Sequence, residues 1–512
     1  MTRPRIFHLA ALASLALLAF MVPQGAAEPA AENDTVVVAQ GVDPTTMDPH
    51  QQRETTTVNV LRHIYDPLVA RNAKDPTKFD GILATRWKRI GGKTVRFTLR
   101  HGVTFSNGQA FDAPTVKYNI DRVLGKLPKT KPALISYQFG TVRGAKVVNR
   151  YTVDILTKQP DPLILSRMES LMIIPNHSID TDQDALASKP IGTGPYTLVT
   201  WDRNNQVTLK ARNDYFRGRP KITNVIFKTM PDAASRLAAI QSGDVDVITN
   251  VPPDNVEDVK SSGKAVVRTV PSARVASVWL DTLNFKPFES PKVREALNYA
   301  VDTRTIVSKV MSGYGLPVAT FVPPYFAGYD PALKPHPYNP TKAKQLLSQA
   351  GYPNGFEMTL MVPRGRYLLA EEIVQAVAGY LEKVGVKTKI DAVEFGVFAK
   401  VTQTRKIPSA FYAAWGENFF NPIDELQVAV VTGTTGFSWY SNKAVDRLTA
   451  KASATLDQRK QNALIRRIQR MIYTDPPFIY LFAYKDLYGV STRLHWKPRS
   501  DELIYLYDAS AG

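Results

Sequence analysis

Side chains able to do chemistry are few in this chain and poorly placed to act together. There is no cysteine among its 512 residues, so a disulfide, a zinc–thiolate site and a thiol nucleophile are all excluded. The seven histidines are His8, His50, His63, His101, His177, His336 and His495. None is read as pairing with another histidine or a carboxylate at metal-ligand spacing, and a lone histidine is more often hydrogen-bonded or on the surface than a ligand. The chain carries no G-x-S-x-G elbow, no G-x-x-x-x-G-K-[ST] phosphate loop and no H-E-x-x-H helix. The pair Glu371-Glu372 falls on a helix, where a solvated face is the simpler reading. A catalytic triad is set in space rather than in sequence, so these absences only lower the odds of catalysis. No catalytic residue, metal ligand or cofactor is assigned.

The elements that must position any site are those of a mixed α/β protein. The composition is 44% hydrophobic and 21% charged, ordinary for a globular chain, and the length predicts two or three domains. Residues 1–27 read as a signal peptide: Arg3 and Arg5, an apolar run from Leu9 to Val22, then Gly25-Ala26-Ala27 as the cleavage site. The apolar run falls short of the ~20 residues a membrane span needs. With no cysteine to carry a lipid, the secreted form is expected to be free. The formal net charge of +18 drops to +16 once Arg3 and Arg5 leave with the leader. The remaining basic residues are scattered; the densest group, Lys126, Lys129 and Lys131, is interleaved with Pro128 and Pro132. Nucleic-acid binding is therefore not expected.

Thr35 to Ala39 suits a buried strand, and Thr94 to Arg100 alternates as a strand covered on one face. Val103-Thr104-Phe105 reads as a second short strand. Val58, Val60, Leu61 and Ile64 mark a helix that ends before Pro67. Asp112 should cap a helix with Pro114 in its first turn, and Ser290-Pro291 should open another, with Asp302 capping its continuation. A strand at Val245–Ile248 should follow a helix stopped by Gly243. A helix from Ile373 to Val384 should end at Gly385 and lead into a strand, Val386–Ile390.

Several stretches, spread over the chain after residue 27, resemble extracellular solute-binding protein family 5. This family includes the dipeptide-, oligopeptide- and nickel-binding proteins of ABC importers. The stretches are Met47-Asp48-Pro49-His50, Tyr65 to Val69, Thr94 to Gly108, Gly192 to Tyr196, Asn213 to Pro220, Asp232 to Val247, Phe285 to Asp302 and Tyr440-Ser441-Asn442. Each is weak alone; their order and spread carry the resemblance. It implies an α/β, two-lobed periplasmic binding protein fold with an extra subdomain in lobe I (cluster C type). It also implies a monomer that is no enzyme, captures a small molecule or short peptide by hinge closure, and hands it to an inner-membrane ABC permease. On that pattern residues 28–62, 190–275 and 485–512 form the lobe I core, 63–189 the extra subdomain and 276–484 lobe II.

The resemblance also suggests where a ligand would lie. Peptide-binding members place an Asp four residues before a Pro, after a Trp-containing strand, to meet the ligand's ammonium. Here that count from Pro422 reaches Asn418, with Glu417 beside it. An Asn supplies no charge to a buried cation. Either Glu417 substitutes or the ligand lacks a free amino terminus, as a sugar conjugate or opine would. An Arg that meets the ligand carboxylate is expected in Pro363 to Tyr367, with Arg366 preferred over Arg364; a solvated loop is the alternative. Trp415 and Trp439 are candidate cleft walls, with core packing as the alternative. Thr55 and Thr56 are candidates from lobe I. A nickel or haem ligand is disfavoured by the missing cysteines and scattered histidines. The rival from another class is a secreted hydrolase.

Overall fold

Two long antiparallel strands, Ala265–Leu280 and Phe478–Ser491, carry the chain between two halves of the molecule. These and all other features come from a computed structural model, which describes residues 34–512 except 53, 74, 129, 365, 417, 418 and 434–437. The leader expected over residues 1–27 lies outside the described residues. The two strands pair in register from Ala265 to Pro271, slip between Pro271 and Val275 and again between Ala276 and Ser277, and pair on to Trp279. A register break loosens the ladder and re-aims the strand.

Around this pair runs a mixed sheet of eleven strands. On one side lie Val247–Ile248, Thr35–Gln40, Asn224–Thr229, Gln206–Ala211 and Tyr196–Asp202. On the other lie Ala410–Gly416, Phe356–Pro363 and Val386–Val393. Lobe I is built on a core that includes Val36, Leu61, Tyr65, Phe227, Val490 and Ile504. Its extra subdomain has a four-stranded antiparallel sheet of Ala84–Arg89, Thr94–Leu99, Thr152–Thr157 and Val142–Asn149. Helix Ala113–Val123 covers it, and Phe97, Phe105, Ile120 and Ile155 fill the space between. Lobe II buries one face of its sheet with Leu360, Ile373, Leu381 and Tyr412, and the other with Phe411, Trp439, Ile465 and Phe478.

Local chemistry sets most of the element boundaries. The Asp112 carboxylate accepts from Thr115 N at 3.2 Å, so the helix starts at Ala113 as its cap dictates. Asp302 likewise accepts from Thr305 N at 3.0 Å and opens a separate helix, Thr303–Lys309. Ser290 differs: helix Pro291–Ala300 starts there, but the Ser290 side chain makes no capping bond. Two strand readings shrink. Val103–Phe105 keeps only a single bridge, Thr104 to Ala110, and the strand expected at Val245–Ile248 reduces to Val247–Ile248. The first pairs only across the adjacent turn, and the second is limited by its distant partners Val38–Ala39 and Gly489–Val490.

Candidate ligand cleft

A cavity of about 300 Å³ lies between the two halves. Lobe I contributes Thr55, Val58 and Arg62 from helix Thr55–Ile64. These residues are three and four positions apart, which puts them on one face of the helix. Glu169 and Ser170 come from the end of helix Ile164–Ser170, and Tyr137 and Gln138 from a 3₁₀ turn of the extra subdomain. Asp501 and Leu503 reach in from the C-terminal segment. Lobe II supplies Arg366 and Tyr367 from the loop after strand Phe356–Pro363, and Trp415 and Gly416 from the end of strand Ala410–Gly416. Arg274, on the crossing strand, also faces the cavity.

Most charges at the cavity are already matched within the protein. The Arg274 guanidinium engages Glu502 through Nε at 2.6 Å and Nη2 at 2.9 Å. Arg499 donates to Asp501 through Nε and Nη2. Glu169 accepts from the Arg71 backbone N–H at 2.7 Å and pairs with Arg71 Nε at 3.2 Å. Burial still pushes the Glu169 carboxyl above its ordinary range, against the pull of Arg71 and Arg62. Behind Arg274, burial and then the nearby Glu502 charge hold Asp486 well above the usual carboxylate range.

Two guanidiniums are matched poorly. Arg366 lies 5.1 Å from the Tyr367 ring centre and 5.5 Å from that of Phe395, and its ion pair among the described residues is with Glu54 at 3.8 Å. Its buried Nε has no hydrogen-bond partner. Among the described residues the ion pair of Arg62 is with Glu169, at 3.7 Å.

The candidates read from the sequence divide into three groups. Thr55, Arg366 and Trp415 line the cavity together. Thr56, Arg364 and Trp439 do not. Thr56 sits on the same helix and accepts from Gln40 Nε2 through its carbonyl at 3.1 Å. Arg364 is exposed, its Nε 3.3 Å from the Ala392 carbonyl. Trp439 is buried in the lobe II core, edge-on to Phe411 at 5.0 Å. Glu417 and Asn418 lie outside the described residues. Sequence reasoning missed Arg62, Glu169, Arg274 and Asp501. The helical face shared by Thr55 and Arg62 was a usable signal for the first; the others depend on contacts between distant segments. One histidine reading is corrected: His177 meets Asp180, three residues on, at 2.5 Å. That pair is exposed, and no group of three or more metal-ligating side chains gathers among the described residues.

The halves also touch across the cleft. Arg167 of lobe I, held by Asp161 at 2.8 Å, reaches Asp424 of lobe II through Nη2 at 3.2 Å. Arg71 stacks over Phe420, 5.3 Å from its ring centre.

Two lobes joined by paired crossing strands, with a cavity between them, define a periplasmic binding protein fold of the type that carries an extra subdomain in lobe I. A family model described as bacterial extracellular solute-binding proteins, family 5, middle region, matches residues 78–436. The chain belongs to this family and is the solute-binding component of an ABC importer. The glutathione-binding protein GsiB of Salmonella paratyphi A is 31% identical over 478 residues, covering 90% of this chain and 91% of that protein. Among solved structures, the Helicobacter pylori periplasmic binding protein DppA, in complex with the peptide STSA, superposes with a TM-score of 0.81 at 24% identity, covering 93% of this chain and 98% of that one. The binding protein AgaA with agropinic acid, from A. tumefaciens R10, gives 0.81 at 23% identity, covering 93% and 99%. These two likenesses establish the fold.

Proposed function

We propose that this protein captures a short peptide or peptide-like solute in the interlobe cavity, with Arg366 reading a carboxylate and Trp415 and Thr55 forming walls. The observation that carries the reading is the poorly matched Arg366 guanidinium in the interlobe cavity of about 300 Å³. That volume sits at the small end of the ligand-pocket range, roughly 300–1,000 Å³, so a ligand of two or three residues fits better than a long extended peptide. The glutathione-binding relatives, which cover 90% of the chain, support the peptide-like class. Catalysis is not part of the proposal, since the cavity residues form no nucleophile–base pair among the described residues.

The hinge is assigned to the register break at Pro271–Val275 and to the facing Ala483–Lys485. Residues on the near side, with 28–62, 190–275 and 485–512, form lobe I; 63–189 form its extra subdomain and 276–484 form lobe II. The working form is a monomer free in the periplasm after removal of residues 1–27, with no lipid anchor and no nucleic-acid partner. It delivers the solute to an inner-membrane permease.

Native mass spectrometry before and after denaturation and refolding tests the proposal. A co-purified mass of a short peptide or thiol peptide, lost on denaturation, is expected. A bound sugar conjugate or opine would overturn the peptide-like class. If the protein flies bare, a thermal-shift panel of peptides, opines and sugar conjugates gives the same decision.

A further inference from the structure

Among the described residues five charged side chains line the cavity, and three of them have full partners within the protein. Arg274 has Glu502, Asp501 has Arg499 and Glu169 has Arg71. Among these described side chains the charges left over are both positive, and each half contributes one. Arg366 comes from lobe II, and Arg62 from lobe I.

Arg62 is the sharper case. Its side chain is 10% exposed and its nearest carboxylate oxygen, on Glu169, is 3.7 Å away. It makes no hydrogen bond among the described residues, although a guanidinium offers five donors in a planar fork. It also stands between two cavities. A second cavity of about 200 Å³ lies behind it in lobe I, and Arg62, Glu169 and Leu503 border both. Its unbonded donors open onto these cavities, and Glu169, 3.7 Å away and already engaged by Arg71, leaves them free to meet an anion.

We infer that Arg62 is the anion reader of lobe I, and that the solute carries two carboxylates, one for Arg62 and one for Arg366. The inference rests on the peptide-like reading above and narrows it to acidic members of the class. A solute that places one carboxylate on each lobe binds the closed form better than the open one, which is what a ligand must do to drive closure.

The test is isothermal titration of glutathione, a tripeptide with two carboxylates, and of its two mono-amides, each lacking one negative charge. Wild type and Arg62→Gln are compared. On wild type, each mono-amide should bind roughly 10- to 100-fold more weakly, the range for losing one hydrogen bond between charged groups. In Arg62→Gln, glutathione should weaken by a similar factor, and the penalty for one of the two mono-amides should disappear. A merely structural role for Arg62 would weaken all three ligands alike, and that result overturns the inference. So do mono-amides that bind wild type as tightly as glutathione; this arm needs no variant and survives any folding defect in Arg62→Gln. If a monocarboxylate peptide such as Ala-Ala-Gly binds tightly while glutathione does not, Arg62 is no anion reader but the peptide-like function stands. If neither peptide binds and the thermal midpoint is normal, the peptide-like function itself falls, and this inference with it.

Discussion

Replacing Asp48 with Asn should be among the most damaging single changes in lobe I. Asp48 lies in the loop before helix Thr55–Ile64, and Arg122 lies in the last turn of helix Ala113–Val123. Arg122 donates to both Asp48 oxygens, through Nη1 at 3.0 Å and Nη2 at 2.5 Å, and each side chain is only 2% exposed. His50 completes the group: its Nε2 lies 2.9 Å from the Met172 carbonyl and its Nδ1 lies 3.3 Å from Arg122 Nη1. That network assigns the ring proton to Nε2 and leaves Nδ1 to accept from Arg122. Asp48→Asn keeps the shape, removes the charge, and turns an amide N–H₂ or carbonyl towards an uncompensated buried guanidinium. Breaking a buried pair from one side costs about 3–5 kcal/mol. In a cooperative unit of about 150–250 residues, each kcal/mol moves the thermal midpoint by about 2–4 °C, so a drop of roughly 6–20 °C is expected. Differential scanning calorimetry at neutral pH measures it. The double variant Asp48→Asn, Arg122→Met should recover much of the loss, because removing both charges also removes the desolvation burden. A drop under about 2 °C, or a double variant no more stable than the single one, refutes the reasoning.

Two further outcomes follow from the same accounting of charge. Asp424→Ala removes the interlobe contact with Arg167, which exists only while the lobes touch. Solute affinity should fall roughly three- to tenfold, as loss of about 1 kcal/mol from the closed state implies. The ligand-free protein should look more open by small-angle scattering, and unchanged scattering and affinity would count against the latch. His50→Gln tests pH linkage. Burial, then the Arg122 charge, lower the His50 pKa from 6.5 to about 3. The stability due to neutral His50 is therefore whole above pH 6.5 and is lost as pH falls towards 3. Between pH 7 and pH 4 the wild type should lose about 3 kcal/mol at this site, a loss that the glutamine variant escapes. Urea unfolding at the two pH values should show the gap between the proteins closing on acidification, and a constant gap refutes it.

The stretches that made the family legible turn out to be devices of the scaffold. Asp48 and His50 of the first stretch hold Arg122 of the extra subdomain. Tyr65 to Val69, Gly192 to Tyr196 and Asn213 to Pro220 converge on one buried carboxylate: Asp66 accepts from Thr193 Oγ1 and Tyr215 OH, each at 3.1 Å. Burial is the main reason its pKa rises to about 6. Gly192 is required by space, because a Cβ there would sit 2.0 Å from the Ile64 carbonyl oxygen. Such residues are readable because their demands are local or geometrically strict: a cap, a close backbone approach, an alternating strand. The cavity charges obey no local rule. Arg274 is defined by Glu502, 228 residues further on, and Asp501 comes to the cavity only when the C-terminal segment packs on lobe I. Trp415 and Trp439 are alike in type and near in sequence, yet one ends a strand at the cleft and the other is buried in the core of lobe II. No propensity separates them; only the packed sheet does. The same division explains how one fold can serve different solutes. The residues that hold lobe I together are separate from those that face the ligand, so a change such as Arg62 to a neutral side chain can alter the charge of the cleft while the scaffold contacts of Asp48 and Asp66 stay as they are.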